Sequence, residues 1–373
     1  MWSWWREMGY PIRKWNDVLS IISGKNQKVV ADSSGQYPIY GSGGIMGYAN
    51  NYLCEAGTTI IGRKGTINRP IFVNERFWNV DTAFGVFPGE MLHPKFLFYF
   101  CQSFNFKALD KSTTIPSLAK RDLLNIEMPV PSFPEQEHII SRIEELFSQL
   151  DASVAELKTA KERLKVYRQA VLKEAFDSCK DFVPLATLGD LGRGKSKHRP
   201  RNDAALFENG KYPFIQTGEV KAAPKHITCY SKMYGDFGLQ QSKLWPKGTL
   251  CITIAANIAE TAFLGIDACF PDSVVGFTPY EHILPEYVRY FIESQKQRLW
   301  AFAPATAQKN INLDTLEKLT IPYCSVEEQE QIVRKIDSKK SVCDSIEKTV
   351  DTALQQAEAL RQSILKKAFE GGL

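Results

Sequence analysis

The feature that most restricts this chain is an internal repeat that holds one register. SFPEQEHIISRIEELF, from Ser132 to Phe147, returns as SVEEQEQIVRKIDSKK, from Ser325 to Lys340. RQAVLKEAF, from Arg168 to Phe176, returns as RQSILKKAF, from Arg361 to Phe369. Both pairs are offset by 193 residues, so no insertion separates them. Repetition at a fixed period sets the architecture ahead of any local propensity. The 373 residues therefore divide into two units, each a globular head followed by a long helix.

From about Glu135 to Phe176 there is no proline or glycine. Apolar or small residues recur at spacings of four and three, the pattern of a coiled-coil seam. The predicted seam carries Ile143, Leu146, Leu150, Leu157 and Leu164, with Tyr167 further along. In the second copy it carries Ile336, Cys343, Ile346, Val350 and Leu360. Ser132 and Ser325, each followed by acidic residues, are helix-start signals. Gly371 and Gly372 stop the second helix. Two matched seams in one chain should pair, and chain connectivity gives their direction. A 42-residue helix is roughly 63 Å long, whereas a head of this size is about 40 Å across. A parallel pair would force the second head to bridge a full helix length, so an antiparallel pair is expected. The expected object is a dumbbell of two similar heads on a rod.

Both heads read as mixed α and β. Gly57 to Val73 is a predicted hairpin with Arg63, Lys64 and Gly65 at its turn, and Gly248 to Gly265 matches it, with Ala256 and Asn257 near the turn. Each then runs through an aromatic helix, Pro94 to Ser103 and Pro285 to Gln295. A polar loop follows, Lys111 to Leu118 and Ala305 to Leu313, and then a short strand into the long helix. Identity is lost in the heads while the helices stay alike, which suggests two different half-sites. Basic residues cluster on the loops: Arg63, Lys64 and Arg69, with Lys107, Lys111, Lys120 and Arg121. The second head has the run Arg193, Lys195, Lys197, His198, Arg199 and Arg201, with Lys221, Lys225 and Lys309 elsewhere. Such cations can neutralise phosphates, and amides such as Asn257, Gln308 and Asn310 can read base edges. A solvated charged loop is the plainer alternative.

Composition excludes several classes. A net charge of +4 is no polycation, so a nucleic-acid surface would have to be local. Eight scattered cysteines without a C-x-x-C pair read as free thiols of a reducing cytosol. No apolar run reaches membrane-span length. The opening MWSWWREMGYP lacks the apolar core of a signal peptide, and its tryptophans are expected to cap the first core. Gly189 to Ser196 matches the phosphate-loop pattern. It is followed by KHRPRND, whose Pro200 does not propagate the helix that motif requires. The five histidines make no metal-ligand spacing, and nothing nominates a catalytic site.

Pro134-Glu135-Gln136-Glu137 opens a heptad helix that closes on Leu172-Lys173-Glu174-Ala175-Phe176. Glu328-Gln329-Glu330 and Leu365-Lys366-Lys367-Ala368-Phe369 repeat it. With Tyr37 to Tyr48, Gly62 to Thr66 and Ala307 to Ile311, these motifs resemble the specificity subunits of type I restriction–modification enzymes over nearly the whole chain. The second copy lacks the proline, which touches only the helix start. The resemblance implies an α+β chain in four parts. These are target-recognition domains at 1–133 and 179–325, and conserved helical regions at 134–178 and 326–373. Each head would read one half of a bipartite, asymmetric site in double-stranded DNA. The helices would set the unread spacer and dock two methyltransferase subunits, with a restriction and translocase subunit joining them in the cytoplasm. S-adenosylmethionine, ATP and magnesium would belong to those partners, and this chain would be non-catalytic. The expected DNA contacts are Ser42, Arg63, Lys64, Arg69, Lys111, Thr113 and Thr114 in the first head. In the second they are Lys195, Lys197, Arg199, Arg201, Lys221, Asn257, Gln308, Lys309 and Asn310. A coiled-coil adaptor with protein-binding heads, and an enzyme using the phosphate-loop segment, are the alternatives.

Overall fold

The computed structural model describes residues 9–177, 179, 181–302 and 310–370. The opening tryptophans, Gly371, Gly372, Gln308 and Lys309 lie outside the described residues. Two compact units emerge, Met1–Thr159 with Val350–Leu373, and Ala160–Thr349. Each holds one head and parts of both long helices.

In the first unit, β1 (Ile12–Lys14) leads through α1 (Trp15–Val18) into β2 (Leu19–Ser23). Then come β3 (Tyr37–Gly41), β4 (Gly44–Ala49), β5 (Thr58–Gly62), β6 (Ile71–Val73), β7 (Trp78–Asn79) and β8 (Ala83–Pro88). Helices α2 (Pro94–Ser103) and α3 (Lys120–Leu124) and strand β9 (Glu127–Pro129) precede the long α4 (Phe133–Ala175). Every residue of β5 is buried, so its apolar run sits mid-sheet. Helix α2 starts with proline, whose missing N–H costs nothing there, and buries Phe96, Leu97, Phe100 and Cys101.

The second unit repeats this plan. It contains β10 (Asp181–Pro184), β11 (Gly189–Arg193), β12 (Tyr212–Phe214), α5 (Thr217–Ala222), β13 (His226–Ile227), β14 (Lys232–Tyr234) and α6 (Asp236–Gln240). It continues through β15 (Leu244–Trp245), β16 (Leu250–Thr253), β17 (Thr261–Leu264), β18 (Ala268–Cys269) and β19 (Val274–Pro279). Helices α7 (Pro285–Ser294), α8 (Lys296–Phe302) and α9 (Leu313–Glu317) and strand β20 (Thr320–Tyr323) lead to α10 (Val326–Glu370). Sheet β2-β8-β5-β6 reappears as β11-β19-β16-β17 with β13 added, β4-β3-β7 as β14-β12-β18 with β15 added, and β1-β9 as β10-β20. Both heads are therefore mixed, as expected from sequence.

The repeated helix starts explain their own residues. Ser132 donates its N–H and its hydroxyl to Glu135 at 3.1 and 2.7 Å, and Ser325 does the same to Glu328 at 3.0 and 3.1 Å. In the second copy Glu328 N donates back to Ser325 Oγ at 3.3 Å, which completes a capping box and starts the helix without the proline. One turn in, Gln136 and Gln329 are buried, at 0% and 1% exposed. The Gln136 carboxamide donates to Met91 O and Pro131 O and accepts from His93 N at 2.7 Å. The Gln329 carboxamide donates to His282 O and Cys324 O and accepts from Leu284 N at 2.9 Å. Each amide thus fastens its helix to the loop before the aromatic helix of its own head.

The L-K-x-A-F ends close the cores. In the first unit Leu365, Ala368 and Phe369 at the end of α10 share a core with Ile140, Ile143 and Phe147 at the start of α4. The Phe369 ring lies 5.2 Å from that of Phe96 and 5.5 Å from that of Phe100. In the second, Leu172, Ala175 and Phe176 at the end of α4 join Ile332 and Ile336 at the start of α10. The Phe176 ring lies 5.3 Å from that of Tyr287 and 5.4 Å from that of Phe291. Within each unit the two helices run antiparallel, as expected.

The seam differs in one row. Ile143, Ile336, Cys343 and Val350 are buried, and Leu146, Leu150, Leu157 and Leu164 are half-buried. Ile346 and Leu360, expected to face inward, are 44% and 51% exposed, and Tyr167 is 48% exposed. The second inward row falls one residue later, at Phe147, Val154 and Arg168, and at Glu347, Leu354 and Arg361. Arginine stems can cover apolar surface while their heads pair. The Arg361 guanidinium lies 4.2 Å over the Phe147 ring and pairs with Asp151, and Arg168 binds Asp344 at 2.8 Å and Glu347 at 2.7 Å. A search for apolar residues at that spacing selects the neighbouring row.

Because Phe369 is 1% exposed, Phe369→Ala should cost about 3–5 kcal/mol. Thermal unfolding should then begin roughly 10 °C lower. A shift within the scatter of surface substitutions would show that the helix end is dispensable to the core.

Candidate nucleic-acid interface

In the first head, β5 ends at Gly62, where a side chain would meet the Thr66 carbonyl at 2.0 Å and Ser42 Cβ at 3.0 Å. Glycine there lets the tip of the β3–β4 hairpin, with Ser42, approach the turn after β5. Arg63 and Lys64 donate their N–H groups to Thr82 O, and Gly65 turns with φ +80. The turn is zipped to the polar loop. Lys64 bridges to Ser117, Gly65 N donates to Pro116 O at 2.9 Å, and Leu118 N donates to Arg63 O at 2.9 Å. Asp110 holds that loop in shape, accepting from Ser112 N, Ser112 Oγ and Ser117 N at 3.0, 2.6 and 3.0 Å. The Ser112 hydroxyl, then the backbone N–H groups of Ser117 and Ser112, keep the Asp110 carboxyl below the usual aspartate range. Thr113 and Thr114 are exposed on this loop. Arg69 and Lys107 line an adjoining cavity of about 390 Å³ with Asp110. Lys111 is paired with Asp122 at 3.0 Å, and Lys120 Nζ donates to Ile21 O, so both are partly committed within the fold.

The second head is built alike. Ala255 bridges to Asn310, and Ile311 N donates to Ile254 O at 2.8 Å, which joins the β16–β17 loop to the polar loop. Ala256 and Ala259 have φ of 62 and 60, a left-handed conformation that costs of order 1 kcal/mol or more each for a residue with a Cβ. Between them Asn257 Oδ1 accepts from Lys221 Nζ at 3.4 Å. Of the expected contacts, Gln308 and Lys309 lie outside the described residues, while Asn310 is exposed. The basic run separates into two kinds. Lys195 and Lys197 are exposed and make no ion pair among the described residues. Arg199 donates to carbonyls of its own loop, Arg201 pairs with Asp272 at 2.6 Å, and His198 Nε2 lies 2.7 Å from Asp203. Lys225 pairs with Glu286. Gly189–Arg193 is strand β11, and no α-helix follows before α5, so the phosphate-loop segment lacks its helix.

Comparing the heads reveals residues that reading the sequence missed. Gly24-Lys25 follows β2 as Gly194-Lys195 follows β11. A Cβ at Gly24 would strike the Val80 carbonyl at 1.8 Å, and one at Gly194 the Pro271 carbonyl at 2.3 Å. Lys25 and Lys28 are exposed there. Thr217 follows Tyr212-Pro213 as Ser42 follows Tyr37-Pro38. Since Ser23 pairs with Phe84 and Gly62 with Ala83, the Lys25 and Arg63 loops leave the same end of their sheet. Arg193 pairs with Val275 and Thr253 with Val274, so the Lys195 and Asn257 loops do likewise. Among the described residues no group of His, Cys, Asp and Glu is arranged to hold a metal.

One end of each sheet thus offers exposed cations with hydroxyl and amide groups on loops pinned by glycines, the apparatus of a nucleic-acid reader. A chain that carries such an end on each of two duplicated heads fits the class of DNA-specificity proteins. The chain belongs to the family of type I restriction modification DNA specificity domains, whose model matches residues 9–162 and 183–356. It is similar to the type I restriction enzyme EcoBI specificity subunit of Escherichia coli, 27% identical over 356 residues, covering 84% of this chain and 73% of that one. The EcoDI specificity subunit of Escherichia coli is 23% identical over 393 residues, covering 96% and 87%. Two solved structures share the fold at 18% identity. One, from work on complex assembly and conformational transition of the type I R-M system, has a TM-score of 0.76 with 98% of each chain covered. The HsdS subunit from Thermoanaerobacter tengcongensis gives 0.60, covering 98% of this chain and 97% of that one. The chain is a DNA sequence specificity subunit of a type I restriction–modification system.

Asp110→Ala should free the polar loop, weakening DNA binding several-fold and raising amide exchange at Ser112 and Ser117. A depressed carboxyl contributes its stabilisation above the ordinary aspartate pKa. That contribution drains away as pH falls from there through the lowered value. Protection of the Ser117 amide, taken relative to its intrinsic exchange rate at each pH, should therefore fall only in acid, and a loss of protection in wild type near neutral pH would contradict the anchoring role.

Proposed function

We propose that each head reads one half of a bipartite, asymmetric site in double-stranded DNA and that α4 and α10 set the spacer. The observation that carries this is the zipped pair of loops present once per head with different side chains, Arg63–Lys64 against Ser117 and Ala255–Asn257 against Asn310. An unchanged frame with changed tips suits two half-sites of different sequence. The chain acts without catalysis of its own. Methyltransferase subunits, two by the logic of the repeat, would bind S-adenosylmethionine. A restriction and translocase subunit would use ATP with magnesium. Among the described residues no helix is long and apolar enough to cross a membrane, and the cytoplasm, where such partners meet DNA, is the proposed location. Val166, Tyr167, Val342 and Ile346 are exposed on the second unit's helix segments, at 71%, 48%, 57% and 44%. They offer apolar surface for a methyltransferase subunit to cover.

Exchanging residues 179–324 for the head of a relative should change one half of the methylated motif and leave the other. A motif unchanged by the exchange would refute modular reading. Removing one heptad from both helices should shorten the spacer or abolish methylation; full activity on the original spacer would show that the helices do not set it. Tyr167→Asp with Ile346→Asp should weaken methyltransferase binding at least tenfold, the scale of a lost interface anchor, while the motif read by residual complex stays the same.

A further inference from the structure

A cavity of about 330 Å³ opens in the second head beside the basic loop. Four segments converge on it. Ser196 and Arg201 come from the loop after β11, Thr217 from the start of α5, Lys232 from the start of β14 and Ser273 from the turn before β19. Phe214 forms part of its wall. Ile254 N donates to Ser273 O at 2.9 Å, which ties this wall to the Asn257 loop. Ser196 and Arg201 belong to the basic loop, so the cavity borders the candidate interface.

Its chemistry is mostly that of donors. Arg201 is opposed by Asp272 at 2.6 Å, so that pair is close to neutral. Lys232 lies 5.3 Å from the Phe207 ring and makes no ion pair among the described residues, leaving its charge uncompensated. Ser196, Thr217 and Ser273 add hydroxyls. Of the two amides in the wall, Gln216 is committed to the capping box of α5 with Glu219, which leaves Asn202 on the basic loop beside Arg201. A base edge presents donors and acceptors together, whereas a phosphodiester presents only acceptors.

We propose that this cavity is an anion clasp that seats one phosphodiester of the DNA backbone, fixing the register of the second head without reading a base. This rests on the half-site reading above. The heads differ at the lysine of this cavity. Phe214 pairs with Lys232 in the second head, and the matching pair in the first is Ile39 with Gly47, which has no side chain to supply charge.

The test uses the chain assembled with its methyltransferase subunits, on duplexes carrying the methylated motif. Lys232→Ala, at an exposed position, and Thr217→Val should each weaken cognate and unrelated duplexes alike, roughly three- to tenfold. Lys232→Ala should lower the salt slope by about one, with the methylated motif unchanged. A methylphosphonate scan of the second half-site should find one neutral linkage that weakens wild type but leaves Lys232→Ala unaffected. Unaltered affinity and slope would overturn the clasp, and so would relaxation at a single base pair, which would make the cavity a base reader. Stabilisation by millimolar inorganic phosphate that Lys232→Ala abolishes without altering duplex affinity would assign a free-anion site and overturn it as well. If wild-type complex bound no duplex in a salt-dependent way, the half-site reading itself would fail.

Discussion

Each head core is closed by the ends of two helices that run in opposite directions. Phe369 stands between Phe96 and Phe100, and Phe176 beside Tyr287 and Phe291. Fully burying such a ring is worth about 1.5–3 kcal/mol, a large share of the 5–15 kcal/mol by which a domain is stable. The helices are therefore parts of the heads' cores, which explains why the L-K-x-A-F motif persists in both copies. The antiparallel direction follows too, since each head takes the start of one helix and the end of the other. Gln136 and Gln329 then remove the remaining freedom. A buried amide with three partners is costly to displace, because each partner left unpaired costs about 1–3 kcal/mol.

On this frame the two heads diverge where divergence is cheap. Glycines hold the loops against backbone carbonyls, at Gly24 against Val80 and at Gly194 against Pro271. These contacts involve main chain, so they survive changes in neighbouring side chains. Residues such as Lys64, Asn257 and Asn310 can change without touching the core. A reader of DNA needs this separation, because specificity changes by loop substitution while geometry is kept by packing.

Much of this was legible in the sequence. The fixed offset gave the duplication, the lack of proline and glycine gave the long helices, and connectivity gave their direction. The hairpins after Gly57 and Gly248 and the aromatic helices fall where they were expected. The losses have physical causes. Lys25 and Thr217 were hidden because the second head carries 21 more residues between Gly194 and Gly248 than the first carries between Gly24 and Gly57, which breaks the register that revealed the helices. The basic run from Arg193 to Arg201 looked uniform, yet Asp272 and Asp203 lie close only in three dimensions and occupy part of it. Glu135-Gln136 and Glu328-Gln329 read as helix-start signals, but nothing in their spacing showed that the glutamines reach back into the heads.

The seam holds the most telling departure. Arg168, Glu347 and Arg361 turn inward while Tyr167, Ile346 and Leu360 stay outside. For an isolated helix pair this is poor economy of surface. Partly exposed ion pairs are worth about 0–1 kcal/mol, and each half-exposed apolar side chain forgoes roughly half of the 1.5–3 kcal/mol that full burial is worth. Natural sequences break local rules chiefly at functional sites. The outward apolar row is physically consistent if a further subunit covers it, with the inward charges fixing how the two helices align. On the proposed reading the helices carry two seams, one that joins them to each other and one that a methyltransferase subunit would cover.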